Sequence, residues 1–96
     1  MILHTLSAAP GTNAFRECLS VASTGDAILL LGDGVYAALP ASTFLAGLLD
    51  TGADVHILRD DAQAAGIAEP AAGVTPAGMA EFVALTERFP RQMAWF

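Results

Sequence analysis

The sequence predicts an α/β fold: a single three-layer domain over residues 1–96, with a small, mainly parallel sheet flanked by helices. Three observations carry that prediction. Ala27 to Leu31 is an unbroken apolar run without polar alternation, the pattern of a strand buried on both faces of a parallel sheet. Short strand-like runs alternate along the chain with segments of helical periodicity, and such alternation favours parallel strands joined by right-handed crossovers. No repeat, low-complexity linker or second compositional block interrupts the chain, so one domain accounts for its length.

The elements follow in order. Ile2 to Leu6 reads as a first strand, closed by the turn residues Ser7-Ala8-Ala9-Pro10-Gly11. Thr12 or Asn13 can cap a helix over about Asn13 to Ser23. Phe15, Cys18, Leu19 and Ala22 recur at i, i+3, i+4, i+7 and form one apolar face, with Gly25 as the stop. Strand two is Ala27 to Leu31, punctuated by Gly25-Asp26 before it and Gly32-Asp33-Gly34 after it. Val35 to Leu39 is a short helical turn ended by Pro40. Ser42 is placed to cap a helix over about Thr43 to Leu49, with Phe44, Leu45, Leu48 and Leu49 as its apolar side. Asp54 to Leu58 is strand three, and Asp60 or Asp61 caps a short helix ending near Gly66. Val74-Thr75 is a brief strand or a connection. Thr75 as N-cap with Pro76 at the first helical position fits a last helix running to about Arg88, with Met79, Phe82, Val83 and Thr86 inward. Arg91 to Phe96 is extended.

Composition narrows the function. The chain is acidic, with a net charge of −6, no lysine and four arginines. Nucleic acid is gripped by neutralising phosphates with Lys and Arg, so direct nucleic-acid binding is not expected. Apolar residues make up 54% and charged residues 15%, against averages of about 45–50% and about 25%. A small domain normally needs more charge to cover its surface; the deficit points to surface buried in a partner, although a bias towards Ala and Gly contributes. The start of the chain has no basic region followed by an apolar core, and no apolar run nears the ~20 residues of a membrane span. A cytoplasmic, membrane-free protein is expected. One cysteine permits no internal disulfide and no multi-cysteine zinc site.

The residues that can carry chemistry are few. Cys18 offers a thiol, but it lies mid-helix on an apolar face with nothing nearby in sequence to lower its pKa; a buried structural cysteine is the alternative reading. His4 and His56 sit on different strands, and no spacing brings them together. No metal-ligand set, P-loop, Gly-x-Gly-x-x-Gly or Gly-x-Ser-x-Gly motif occurs, so neither a metal nor a cofactor is expected. The loop after a central parallel strand is where α/β sheets place ligands and partners, which singles out Asp33 with its glycines Gly32 and Gly34. Asp33 as a simple turn cap is the plainer reading. Trp95 and Phe96 serve either as a partner anchor or as packing for their own domain.

Several stretches together resemble the DsrH/TusB family: Leu3-His4-Thr5-Leu6, Gly25-Asp26, Leu29-Leu30-Leu31 with Asp33-Gly34-Val35-Tyr36-Ala37-Ala38, Asp61 with Gly66, Phe82-Val83-x-Leu85-Thr86, and Gln92-Met93-Ala94-Trp95. The resemblance covers nearly the whole chain in order. It implies a DsrE-like domain and an accessory role in a sulfurtransferase (sulfur-relay) complex. There, DsrE/TusD-like and DsrF/TusC-like subunits complete a heterohexamer and pass persulfide sulfur to a DsrC/TusE-like carrier. The end use is either 2-thiolation of the tRNA wobble uridine or oxidation of sulfur compounds. The main persulfide cysteine of such complexes lies on the DsrE/TusD-like chain. DsrH-type members often keep a cysteine in the first helix, which makes Cys18 a candidate persulfide acceptor, and Asp33, Gly34, Tyr36 and Trp95 candidate partner or loop contacts. Ala65, Gly32 and Ala9 depart from the family pattern. They leave room for an alternative, a stand-alone homo-oligomeric α/β domain without relay activity that binds a small ligand at the loop after strand two.

Overall fold

A computed structural model describes residues 1–96. Five strands, β1 (Ile2–Leu6), β2 (Ala27–Leu30), β3 (Asp54–Leu58), β4 (Val74–Ala77) and β5 (Arg91–Trp95), form one sheet in the order β4-β3-β2-β1-β5. Every neighbouring pair is parallel. The helices are α1 (Asn13–Val21), α2 (Leu45–Asp50), α3 (Arg59–Ala64) and α4 (Met79–Arg88), with a 3₁₀ segment over Gly32–Ala38.

The strand order dictates where the helices go. From β1 to β4 the chain steps across the sheet in one direction, so right-handed crossovers put every connection on one face. The step from β4 to β5 runs back across the whole sheet, and the same handedness sends α4 to the opposite face. The core divides accordingly. A cluster of 17 buried residues joins Leu6, Ile28, Leu30, Val55 and Ile57 of the sheet to Phe15, Cys18, Val35, Leu48 and Ala62 of the helical layer. A cluster of 7 joins Leu3, Ala27, Leu29, Leu58 and Ala77 to Leu85 and Phe89 at α4. All four residues of β2 are buried, as its apolar run requires.

The α1 face forms as its spacing predicts: Phe15 and Cys18 are fully buried, and Thr12 Oγ1 caps the helix by accepting from the Phe15 N–H at 3.3 Å. Other local expectations fail for tertiary reasons. Thr75 and Pro76 do not open a helix; they belong to β4, paired with His56 and Ile57. β4 is an edge strand, where a proline lacking an N–H is tolerated. Helix α4 instead starts after Gly78, whose N–H donates to Glu81 Oε1 at 3.2 Å. Its inner face is Phe82 and Leu85, continued by Phe89, whereas Met79 and Val83 are exposed. Asp60 and Asp61 lie inside the first turn of α3 without capping it, where their charge still complements the helix dipole. Ser42 Oγ accepts from the Phe44 N–H in the turn before α2 rather than capping that helix.

Candidate functional site at the carboxyl ends of β1, β2 and β5

Leu6, the last residue of β1, is paired with Leu30 on one side and Trp95 on the other. The loop after β2 and the end of the chain therefore meet across a single residue. On the β2 side the Leu31 N–H donates to the Leu6 carbonyl at 3.1 Å, and the chain enters the 3₁₀ segment. Gly32 takes φ +52°, a left-handed conformation suited to glycine. Its N–H donates to Asp61 Oδ2 at 2.8 Å, which ties the loop to α3. Gly34 is buried so tightly that a Cβ there would collide with the Leu6 carbonyl oxygen. Val35, Ala37 and Ala38 are buried beneath the segment.

Asp33 and Tyr36 remain on the outside. Tyr36 stands between two depressions. One, of about 190 Å³, is lined by Gly32, Asp33, Asp61, Ala64 and Ala65. The other, of about 370 Å³, is lined by Pro10, Leu39, Ala41, Ser42, Thr43 and Phe44. The second has an apolar rim, because Tyr36, Leu39 and Phe44 are all exposed. The polar depression and the apolar one thus share a single aromatic wall.

Cys18 lies beneath this surface rather than on it. The residue is 0% exposed, inside the cluster that also receives Trp95. Burial pushes its thiol up to about 12, so at neutral pH it is protonated and shielded from solvent.

On the β5 side, Trp95 closes a buried polar chain that sequence reasoning missed. Its indole Nε1–H donates to His4 Nδ1 at 3.1 Å. An indole N–H only donates, so Nδ1 must hold a lone pair and the imidazole proton must sit on Nε2. That nitrogen lies 3.0 Å from Asp26 Oδ2 and donates to it. Asp26 accepts two further bonds, from the Ile2 N–H at 2.9 Å and the Ser23 N–H at 3.2 Å. Burial alone would raise the Asp26 carboxyl; the bonds from His4, Ile2 and Ser23 outweigh it and leave the pKa below the ordinary carboxylate value. The Trp95 carbonyl is also held, accepting from the Ser7 and Ala8 N–H groups at 3.0 and 3.2 Å. His4 is 0% and Asp26 6% exposed, so both imidazole nitrogens are occupied and closed to solvent. The available signal was the presence of a histidine and an aspartate beside strands otherwise built from apolar residues, since buried polar groups need partners.

His56 does not join His4. His4 pairs with Ile28 and His56 with Leu29, adjacent residues of β2 that face opposite sides of the sheet. No group of three or more ligand-type side chains converges anywhere in the protein, and no helix is long and apolar enough to cross a membrane. The site presents carboxylate, phenol and apolar surface, with its thiol and its hydrogen-bonded imidazole held inside.

Comparison with known proteins agrees with this architecture. The crystal structure of the YchN protein from E. coli superposes with a TM-score of 0.80 over 98% of this chain and 97% of that one, at 17% identity. The solution structure of protein Tm0979 from Thermotoga maritima gives 0.70 over 92% and 93%, at 27% identity. A family model described as "DsrH like protein" matches residues 9–92. Protein TusB of Erwinia tasmaniensis is 38% identical and protein TusB of Pectobacterium atrosepticum 40% identical, each over 98% of this chain and 100% of its own length. The chain belongs to the DsrH/TusB family of sulfur-relay subunits.

Proposed function

We propose that this chain is an accessory, non-sulfur-carrying subunit of a cytoplasmic sulfurtransferase complex. It assembles with DsrE/TusD-like and DsrF/TusC-like chains into a heterohexamer that hands persulfide sulfur to a DsrC/TusE-like carrier. The TusB relatives favour tRNA wobble-uridine thiolation over sulfur oxidation as the end use. The observation that carries the accessory role is the burial of Cys18. The chain's only thiol is 0% exposed and pushed up to about 12, whereas persulfide chemistry needs an accessible thiolate. The exposed Asp33 and Tyr36 side chains and the apolar rim of Leu39 and Phe44 supply surface for partner subunits, and the Trp95 latch holds the adjoining strand in place.

The test is reconstitution with DsrE- and DsrF-like chains of the same genome. Native mass spectrometry should show a mixed assembly, and Cys18→Ala should relay sulfur to the carrier at the parent rate. Loss of relay in an intact Cys18→Ala assembly would overturn the accessory role. Failure to assemble, with the chain forming a homo-oligomer instead, would favour the stand-alone alternative.

A further inference from the structure

The opposite face of the sheet carries a second cleft, unrelated to the relay surface. It lies where α4 leaves β3 and β4 partly uncovered, has a volume of about 250 Å³, and is lined by His56, Thr75, Glu81, Leu85 and Arg88 among others. We propose that this cleft binds a small monoanionic carboxylate with a short apolar body.

The first argument is an unmet hydrogen bond. Nε2 of His56 is shielded from solvent and has no partner within the protein. Leaving such an atom unpaired is costly, and native structures rarely do so without a reason. A ligand oxygen in the cleft would supply the missing partner. Burial favours the neutral ring, which can donate one N–H there.

The second argument is the placement of charge. The chain has four cationic side chains and a net charge of −6, yet one of the four, Arg88, lines this cleft, and a second, Arg59, reaches Glu81 in its wall. Arg59 is committed, with Nη2 3.7 Å from Glu81 Oε1. The same Glu81 oxygen accepts from the Gly78 N–H, so the acidic group in the wall is already engaged. Arg88 makes no ion pair. Its guanidinium lies 4.9 Å over the ring of Phe89, an arrangement that orients the cation without neutralising it. One free guanidinium beside one neutral imidazole suits a single negative charge, and nearby Asp54 and Glu81 disfavour a dianion. The remaining wall, Pro76, Ala77, Ala84 and Leu85, suits an apolar body. At ~30 Å³ per water-sized group the cleft accommodates roughly eight such groups.

The chain has two histidines on opposite faces, so His4 serves as an internal control. Imidazole and amide NMR signals of the full chain would be followed while sodium butyrate is added at constant ionic strength. A saturable shift of His56 with His4 stationary is expected, with affinity on the order of millimolar for a ligand of about six heavy atoms. Arg88→Gln, at an exposed position that leaves the fold intact, should weaken it at least tenfold. Shifts that grow linearly without saturating, move His4 equally, or persist in Arg88→Gln would overturn the site. Inorganic phosphate shifting His56 as strongly as butyrate would overturn the carboxylate assignment in favour of unselective anion attraction.

Discussion

Asp26→Asn is the sharpest test of the buried His4–Asp26–Trp95 chain, because the replacement keeps the size and changes only the hydrogen-bonding pattern. Asp26 accepts three bonds, from His4 Nε2, the Ile2 N–H and the Ser23 N–H. An asparagine has one carbonyl oxygen and one NH₂ group. If the oxygen faces His4 and Ser23, the NH₂ meets the Ile2 N–H, donor against donor. If the amide is flipped, the Ser23 N–H is stranded, and His4 must move its proton to Nδ1 to accept from the NH₂. That would set Nδ1–H against the Trp95 Nε1–H. Every arrangement leaves at least one buried donor unpaired, at about 1–3 kcal/mol, and also loses the charge-assisted character of the bonds that remain. The expected destabilisation is about 2–4 kcal/mol, read from urea unfolding by the fluorescence of the single tryptophan. In thermal unfolding it corresponds to a fall of roughly 10 °C or more for a domain of this size. The effect also has a defined pH dependence. The folded Asp26 pKa is lowered, so the carboxylate stabilises the fold fully above the unfolded value, about 3.9, and that contribution is lost as pH falls through the folded value. The gap between parent and variant should therefore close below about pH 4. A variant within about 0.5 kcal/mol of the parent, or a gap unchanged down to about pH 2.5, would refute the reasoning.

Three further outcomes follow from the same geometry. Trp95→Phe removes the donor to His4 Nδ1 and should cost about 2 kcal/mol in urea unfolding followed by circular dichroism, with faster amide exchange across β5. Gly34→Ala drives a Cβ into the Leu6 carbonyl oxygen. It should cost about 1–3 kcal/mol by overpacking, measured by calorimetry; a neutral result would mean that the 3₁₀ segment sits further from β1. Cys18 of the isolated chain should resist iodoacetamide at pH 8 until denaturant is added, because a thiol pushed up to about 12 leaves only about one thiolate in ten thousand before shielding is counted.

The fold was legible where one element's burial is complete. Ala27 to Leu30 carries no alternation because both faces are covered, and the Phe15–Cys18–Leu19–Ala22 stripe marks the inner side of α1 without ambiguity. The start of α4 was not legible because Thr75-Pro76 obeys two rules at once. The pair fits the opening of a helix, and it equally fits an edge strand; pairing with His56 and Ile57 decides the matter, and that pairing is a property of the sheet. The rotation of α4 depends on Phe89, which lies past the helix end yet is 2% exposed. For the candidate site, the rule that α/β sheets place contacts in loops at the carboxyl ends of parallel strands pointed to Asp33 and its glycines, and the structure leaves Asp33 on the surface while burying Gly34. The Gly34 collision with Leu6 and the bond from Gly32 to Asp61 are tertiary. The His4–Asp26–Trp95 chain joins residues 22 and 91 positions apart, and no local spacing encodes that.

The composition has its explanation in where the apolar residues lie. They make up 54% of the chain, but only 28 of 96 positions are buried, so about half of them remain at least partly on the surface. Part of this surface is grouped. Tyr36, Leu39 and Phe44 gather around one depression at the carboxyl ends of the strands, while Met79 and Val83 stand exposed on α4. Scattered exposed apolar side chains are ordinary, whereas grouped ones mark contact surfaces. Two of the groups that could do chemistry, the only thiol and one of the two imidazoles, have the opposite distribution. Cys18 and His4 are fully buried, and both nitrogens of His4 are occupied by neighbours. With its thiol and its hydrogen-bonded imidazole inside and aromatic and aliphatic groups outside, the surface of this DsrH/TusB-family chain is suited to contact rather than to thiol chemistry.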